Sequence, residues 1–510
     1  MTNNINNDSV IMESLFNNVN KTRLEISATT DREEKLVLGQ FFTEPRIASF
    51  MSKMFGNEEE HVKLLDPGAG IGILATASVI HFCNLKNRPK SIELIAVEID
   101  SKLISYLEQS LENCKSLCED NEILFNYEII TNDFVDYAAN LIKSKSNYQF
   151  TKVILNPPYK KIYSKSLTRR LLNEVGIETT NYYTAFVALS KRLLQKNGEL
   201  IAITPRSFCN GTYFKSFRID FLSDMRFRKI HIFDSRDASF KDDEVLQENI
   251  IYHAVKTTDR QPVEISSSFN IEGKTTSHML DYDRLIEPLD TEKFIRILRD
   301  ESDLKIKLSM EGAKCTLDEL GIKVSTGKVV DFRTKANLRD QPEKGTVPLI
   351  YPFHFNSGYV NWPVNPAPKP NAILQNEFTQ KMLVPKGNYV LVKRFSSKEE
   401  PKRIVPSIYK ENFLDAEYIG FENHVNYFHI NGQGLSLVFA KGLAVYLSST
   451  VVDGFFRQFN GHTQVNVGDL KNIPYPTYDQ VIQLGSMIGE SFPSQEEVDQ
   501  LIEDILHIFL

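Results

Sequence analysis

Cysteine is scarce and scattered: Cys83, Cys114, Cys118, Cys209 and Cys315 form an odd set with no Cys-x-x-Cys pair. Neither a disulfide framework nor a structural zinc site is therefore expected, and a reducing cytoplasm suits the composition. Long apolar runs are also missing. Nothing approaches the roughly 20 consecutive apolar residues that span a bilayer, and the Asn-rich start MTNNINNDSV lacks the basic and apolar regions of an export signal. Net positive charge is absent too, at −7 over 510 residues, which by itself argues against a polyanionic partner. The distribution changes that reading. Asn472 to Leu510 holds seven acids and no Lys or Arg, so it carries the whole imbalance and residues 1–471 are neutral. Within that neutral body Lys160–Arg170 has five bases and no acid, and Lys381–Lys410 has eight bases against Glu399 and Glu400. Hydrophobic residues at 42% and charged ones at 25% exclude a disordered or fibrous chain. The length predicts two to three domains.

Four stretches organise the chain: a polar N-terminal segment over 1–35, an alternating strand and helix region over 36–258, a linker with a helix over 259–310, and a region of different texture over 311–510. In the second, short apolar runs predict strands at Val62–Leu65, Ile92–Val97, Val153–Leu155, Glu199–Ile203 and Lys229–Phe233. Amphipathic segments at Leu103–Asn113 and Thr184–Gln195 predict helices, the latter stopped by Asn197-Gly198, and the linker helix is expected near Asp290–Arg299. Strands separated by helix-length segments imply an α/β, doubly wound, Rossmann-like sheet with its ligand at the carboxyl ends of the strands. Beyond about Glu311, short strands, Gly and Pro turns and the aromatic run Tyr351–Pro370, which contains the single tryptophan Trp362, predict an α+β or mostly β domain.

Asp66-Pro67-Gly68-Ala69-Gly70-Ile71-Gly72 follows the first strand directly, and glycines at alternate positions let a backbone turn sharply against a ligand. The second strand ends in Glu98-Ile99-Asp100, placing an acid where a ribose can donate both hydroxyls to one carboxylate. Dinucleotide enzymes and S-adenosylmethionine enzymes share this pair. Asn156-Pro157-Pro158-Tyr159, at the carboxyl end of the Val153–Leu155 strand, narrows the choice. An aromatic exocyclic amine is a poor nucleophile because its lone pair is delocalised into the ring. The Asn156 side-chain oxygen and the Pro157 carbonyl can accept its two N–H bonds and favour a localised lone pair, the prolines fix those acceptors, and Tyr159 offers a face for the ring.

With these residues the sequence resembles the gamma-class adenine-specific DNA methyltransferases of type II restriction–modification systems. Gly39-Gln40-Phe41-Phe42-Thr43-Glu44-Pro45 resembles the motif that packs over the cofactor, so Phe41, Thr43 and Pro45 join Asp66, Gly68, Ala69, Gly70, Glu98, Ile99, Asp133, Phe134 and Asn156 as expected cofactor-binding residues. The resemblance implies S-adenosylmethionine as cofactor, catalysis by Asn156, Pro157 and Tyr159, and an aromatic residue packing on the flipped adenine, expected at Phe240 in FDSRDASFKDDEVLQENIIY. That stretch and Leu320-Gly321-Ile322-Lys323-Val324-Ser325-Thr326-Gly327 are most similar to the PstI/BsuBI branch, which implies a CTGCAG site. Residues 36–258 are then the catalytic domain and 311–510 the target-recognition domain, its closing segment Asn460–Pro474 included. The implied partners are double-stranded DNA and, functionally, a cognate restriction endonuclease, with a monomer on DNA.

Lys160, Lys161, Arg169, Arg170, Arg394, Arg403, Gln464 and Asn466 are the expected DNA contacts, lining a basic cleft between the two domains. His424 and His429 are expected to be structural, having no acid in register on a strand-like stretch, and no metal follows from the chemistry. Glu272-Gly273-Lys274 and Glu400-Pro401-Lys402 lack the Pro-Asp that a nuclease site needs. Two alternatives share the tetrapeptide or the fold: methylation of protein glutamine or ribosomal RNA, and a non-catalytic DNA-binding protein.

Overall fold

The computed structural model describes residues 21–25, 42–56, 59–145, 149–233, 249–271, 273–397, 400–411, 416–460 and 463–508. The expected contributions of Phe41 and Phe240 lie outside these residues. The chain divides into two compact units, Met1–Arg299 and Asp300–Leu510.

The first unit is built on a nine-stranded sheet. Its strands are β1 (His61–Pro67), β2 (Ser91–Glu98), β3 (Leu124–Thr131), β4 (Phe150–Leu155), β5 (Leu194–Pro205), β6 (Met225–Phe233), β7 (Asn249–Lys256), β8 (Val263–Ser268) and β9 (Thr276–Leu280), in the order β3-β2-β1-β4-β5-β7-β6-β8-β9. The pairs from β3 through β5 are parallel, while β7 runs antiparallel to both β5 and β6. Every residue of β4 is buried, as a strand covered on both faces requires. Helices α1 (Pro45–Ser52), α2 (Ile73–Cys83), α3 (Ile104–Asp120), α4 (Phe134–Lys143), α5 (Leu167–Glu174), α6 (Tyr182–Leu193) and α7 (Lys215–Asp224) accompany the strands. Helix α2 is apolar nearly all round and contacts α1, α3 and β4, so both its faces lie in the core. The strand order reverses at β1, which pairs with β2 on one side and β4 on the other. A ligand crevice opens above such a switch point.

All five strands expected from the sequence lie within observed strands of this sheet. Three details differ. Helix α6 begins and ends two residues early, and Leu194 passes straight into β5. Asn197-Gly198 does not stop a helix: Asn197 adopts φ 65° in an irregularity where the pairing with β4 skips from Leu194 to Glu199. No helix forms at Asp290–Arg299, because the Asp290 carboxylate accepts the backbone N–H groups of Glu292 (2.8 Å) and Phe294 (3.0 Å) and folds the chain into a local turn. The helix forms one step later as α8 (Glu301–Met310), where the Asp300 side chain caps it, and residues 259–299, expected as linker, supply β8 and β9 to the first unit.

The second unit contains a six-stranded sheet in the order 323–326, 425–429, 389–393, 406–409, 359–360, 355–356, and a five-stranded sheet of short strands. Trp362 belongs to the core that includes Tyr389 and Phe421, and its indole N–H donates to the Asn371 carbonyl at 2.7 Å. Helices α9 (Leu437–Ser448), α10 (Thr450–Phe459), α11 (Tyr478–Ser486) and α12 (Gln495–Leu506) complete the unit. No single described helix is long and apolar enough to cross a membrane.

Candidate active site

The crevice above the switch point is a cavity of about 760 Å³, measured to its open mouth. Phe42, Gly68, Gly70, Glu98, Ile99, Leu103, Asp133, Phe134, Asn156 and Phe186 are among its walls.

The glycine loop is bent as its composition demands. Gly68, Gly70 and Gly72 have φ of 77°, 57° and 83°, a region that side chains disfavour. Glu98, at the end of β2, fastens the loop: one carboxylate oxygen accepts the Gly70 N–H at 2.7 Å and the other accepts the Asp100 N–H at 2.8 Å. Burial raises the Glu98 pKa, with those backbone bonds pulling the other way. Each oxygen keeps acceptor capacity for a hydroxyl arriving in the cavity. Asp133 caps α4 by accepting the Val135 N–H at 2.7 Å and reaches the same cavity.

On the β4 side the Asn156 amide is held at both ends. Its Nδ2 donates to Thr43 Oγ1 at 3.1 Å, and the Tyr159 hydroxyl lies 3.2 Å from Asn156 Oδ1 and from the Ile203 carbonyl. With Nδ2 on Thr43, the oxygen is the end presented toward Tyr159. Tyr159 meets Tyr183 edge-on at 6.2 Å, and burial raises its pKa well above the usual tyrosine value.

Of the expected cofactor-binding residues, Gly68, Gly70, Glu98, Ile99, Asp133, Phe134 and Asn156 line one cavity. Thr43, Pro45, Asp66 and Ala69 are not on its walls. Asp66 is fully buried beneath the loop, where its Oδ2 accepts the Ala75 N–H at 3.2 Å and ties the loop to α2; Thr43 serves Asn156 instead. Sequence reasoning missed Phe42, Leu103, Tyr182 and Phe186. Phe42 adjoins an expected residue, and Tyr182 and Phe186 are four apart on α6, a spacing that puts them on one face.

The expected DNA contacts divide. Lys160 lines the cavity with its ammonium 4.5 Å from the Tyr182 ring centre, and burial lowers its pKa, with Asp133 opposing. Lys161 and Arg170 are exposed, while Arg169 donates to the Thr179 carbonyl. Arg403 is a correction: it is fully buried, donates to Ser396 Oγ at 3.1 Å and Asn460 Oδ1 at 2.9 Å, and packs on Phe456, so it supports the core of its unit and reaches no ligand. Asn466 precedes the short helix Val467–Lys471, its N–H bonded to Asp469 at 2.8 Å.

The cavity thus offers a carboxylate to a ribose diol, flat apolar faces to a purine, and an amide oxygen a short way along the sheet. That donor set fits S-adenosylmethionine, and with β7 inserted antiparallel between β5 and β6 the sheet has the strand order of the S-adenosylmethionine-dependent methyltransferases.

Within that class the comparisons with known proteins are specific. Residues 76–240 match the family model described as Eco57I restriction-modification methylase. The chain is 41% identical over 493 residues to the type II methyltransferase M.PstI of Providencia stuartii, covering 96% of this chain and 97% of that one. It is 42% identical over 508 residues to the type II methyltransferase M.BsuBI of Bacillus subtilis, covering 97% and 99%. Among solved structures, the type IIL restriction-modification enzyme MmeI in complex with DNA aligns over 99% of this chain and 75% of its own, with a TM-score of 0.52 at 10% identity, a likeness of fold. The chain belongs to the type II DNA methyltransferases of restriction–modification systems, the family of M.PstI and M.BsuBI.

Proposed function

We propose that this methyltransferase modifies the exocyclic amine of adenine within a short duplex site, CTGCAG, and so protects DNA from a cognate restriction endonuclease. The observation that carries the reading is the Asn156 amide on the wall of the cavity at the carboxyl end of β4, held by Thr43 at Nδ2 and by Tyr159 at Oδ1. Bound S-adenosylmethionine supplies a methyl group on a cationic sulfur. Glu98 receives the ribose hydroxyls, and the faces of Phe42, Ile99, Phe134 and Phe186 exclude water around the donor. Asn156 Oδ1 and the Pro157 carbonyl accept the two N–H bonds of the amine and hold its lone pair localised. An acceptor that is fixed beforehand does not reorganise during the reaction, which is where such groups gain their effect. Tyr159 takes the ring of the base, which must leave the helical stack because its amine is otherwise unreachable. A monomer acting on one strand at a time suffices for a palindromic site. The likeness to the type II methyltransferases M.PstI and M.BsuBI over nearly the full chain supports methylation of DNA in a restriction–modification system.

The test is sequencing-based methylation mapping of DNA from cells producing the protein, beside cells producing Asn156→Ala. One short motif carrying N6-methyladenine only with the intact protein is the expected result, and the variant should lose about 10³-fold in rate. Methylated cytosine, or an active Asn156→Ala protein, would overturn the reading.

A further inference from the structure

A cluster in the second unit gathers on the turn that joins the strands Tyr418–Phe421 and Val425–His429. Glu422 is fully buried there, and its carboxylate accepts the His424 backbone N–H at 2.8 Å and lies 2.7 Å from His424 Nδ1. His424 itself is 46% exposed. Its ring is therefore fixed at Nδ1 by a buried acid, which leaves Nε2 as the polar atom at the outer edge. Sequence reasoning found no acid partner for His424 because it assumed a continuous strand; residue 424 is in the turn, and its partner is two residues back.

Arg394 and Phe395 stand beside it. The Phe395 ring is 36% exposed and 5.1 Å from the His424 ring, and the Arg394 guanidinium is 5.8 Å from the Phe395 ring centre. The Arg394 backbone is locked on both sides, its N–H donating to the His424 carbonyl at 2.9 Å and its own carbonyl accepting the Val465 N–H at 2.8 Å. Arg394 Nη1 donates to the Asn423 carbonyl at 3.0 Å, so the guanidinium is oriented by the same turn. Gln464 pairs with Phe395 through a backbone bridge. The turn is pinned from beneath as well: a Cβ at Gly327 would sit 2.2 Å from the Glu422 carbonyl oxygen, so only glycine lets that segment pass. The nearby acid Asp331 is engaged by Lys369 at 2.7 Å.

We propose that His424 and Arg394, flanked by Phe395, read base edges of the target duplex and set part of the sequence specificity. The proposal rests on the duplex-DNA substrate of the reading above and adds to it the residues that recognise the site. Direct readout needs donors and acceptors held in one orientation, since each wrong base is rejected by a misplaced partner, and a guanidinium fork matches guanine O6 and N7. A phosphate clamp has no such need for rigidity: flexible lysines serve it. Glu422 is a positioning residue that acts through His424.

The experiment measures kcat/KM of the purified protein and of Arg394→Ala, His424→Ala and His424→Asn on the target duplex and on duplexes carrying each single base-pair change. Expected is a loss of about 10- to 100-fold on the intact site for the alanine variants. The penalty for the wrong base pair should shrink at one position for each residue, with the others unchanged and thermal unfolding as in the wild type. Equal losses on every duplex together with a flatter salt dependence would show phosphate contacts only and overturn the proposal. Unchanged discrimination would overturn it too, and retention by His424→Asn of full discrimination would remove the histidine from it. A wild-type protein that methylated no DNA would defeat this proposal and the reading beneath it alike. A wild type that marks one motif, beside variants equally selective for it, would defeat this proposal alone.

Discussion

At the carboxyl end of the sheet Asp66 and Glu98 are buried with backbone N–H groups as their hydrogen-bond donors, whereas at the opposite end Glu199 is buried against Lys152 and His253. Lys152, only 1% exposed, lies 2.5 Å from Glu199 and 2.7 Å from Glu59, and His253 Nε2 lies 2.8 Å from the other Glu199 oxygen. The consequences for charge are opposite. Burial pushes the Asp66 carboxyl up to about 7, the Ala75 N–H only partly opposing it and Glu98 adding to it. Burial pushes Glu199 up as well, but His253 and Lys152 together bring it down to about 2. One sheet thus keeps acids in need of donors where a ligand arrives and satisfied acids where only the fold depends on them. Strain in charge is tolerated at the end that does chemistry and compensated at the end that does none.

The sharpest way to break this contrast is Lys152→Met. Removing one partner leaves Glu199 buried without its ammonium, and breaking such a pair costs about 3 to 5 kcal/mol. Denaturant unfolding should report that loss, while kcat of the folded protein stays as in the wild type; a large fall in kcat would mean the two ends are not independent. Glu98→Gln should do the reverse. The KM for S-adenosylmethionine is expected to rise about tenfold or more, since a neutral amide receives two hydroxyls less well than a carboxylate, with a smaller loss of stability of about 1 to 3 kcal/mol, because the amide nitrogen faces one of the two N–H groups that the carboxylate accepts. An unaltered KM would take Glu98 out of the cofactor site. The smallest effect is on pH dependence. Glu199, with its pKa depressed, contributes stability that is present above the ordinary carboxylate range and lost as pH falls toward about 2. Asp66, with its pKa raised, holds a proton in the folded state that the unfolded chain has released, so stability declines as pH rises from about 4 to about 7. Urea midpoints across pH should lose the acid limb in Glu199→Gln and the neutral limb in Asp66→Asn. If either variant kept the wild-type profile, the corresponding assignment would be wrong.

The parts of the molecule legible in the sequence are those in which neighbours along the chain are neighbours in the site. Val62–Leu65, Ile92–Val97 and Val153–Leu155 are short apolar strands, each followed directly by a residue of the cavity or its support, so Gly68, Glu98 and Asn156 could be placed from local pattern alone. Thr43 is expected at the cofactor but bonds Asn156 instead, a partner distant in sequence that it meets only when α1 packs beside β5. Arg403 shows the opposite failure. In a basic stretch it has the composition of a DNA contact, yet Ser396 and Asn460 receive its guanidinium inside the second unit. Periodicity near Asp290 predicted a helix, and a single carboxylate bonding its own backbone prevented it. Composition carries no information about such competition between side chain and ladder.

The residue after Asn156 has a bearing on how long the enzyme lasts. Asparagine side chains age when the following backbone nitrogen attacks the amide carbon, closes a ring and lets water return a carboxylate in its place. Pro157 has no N–H to give up, so its nitrogen cannot make that attack. The proline after Asn156 therefore guards this amide, on the wall of the cavity, against conversion to an acid. Slow chemical decay of the protein should begin at its other asparagines.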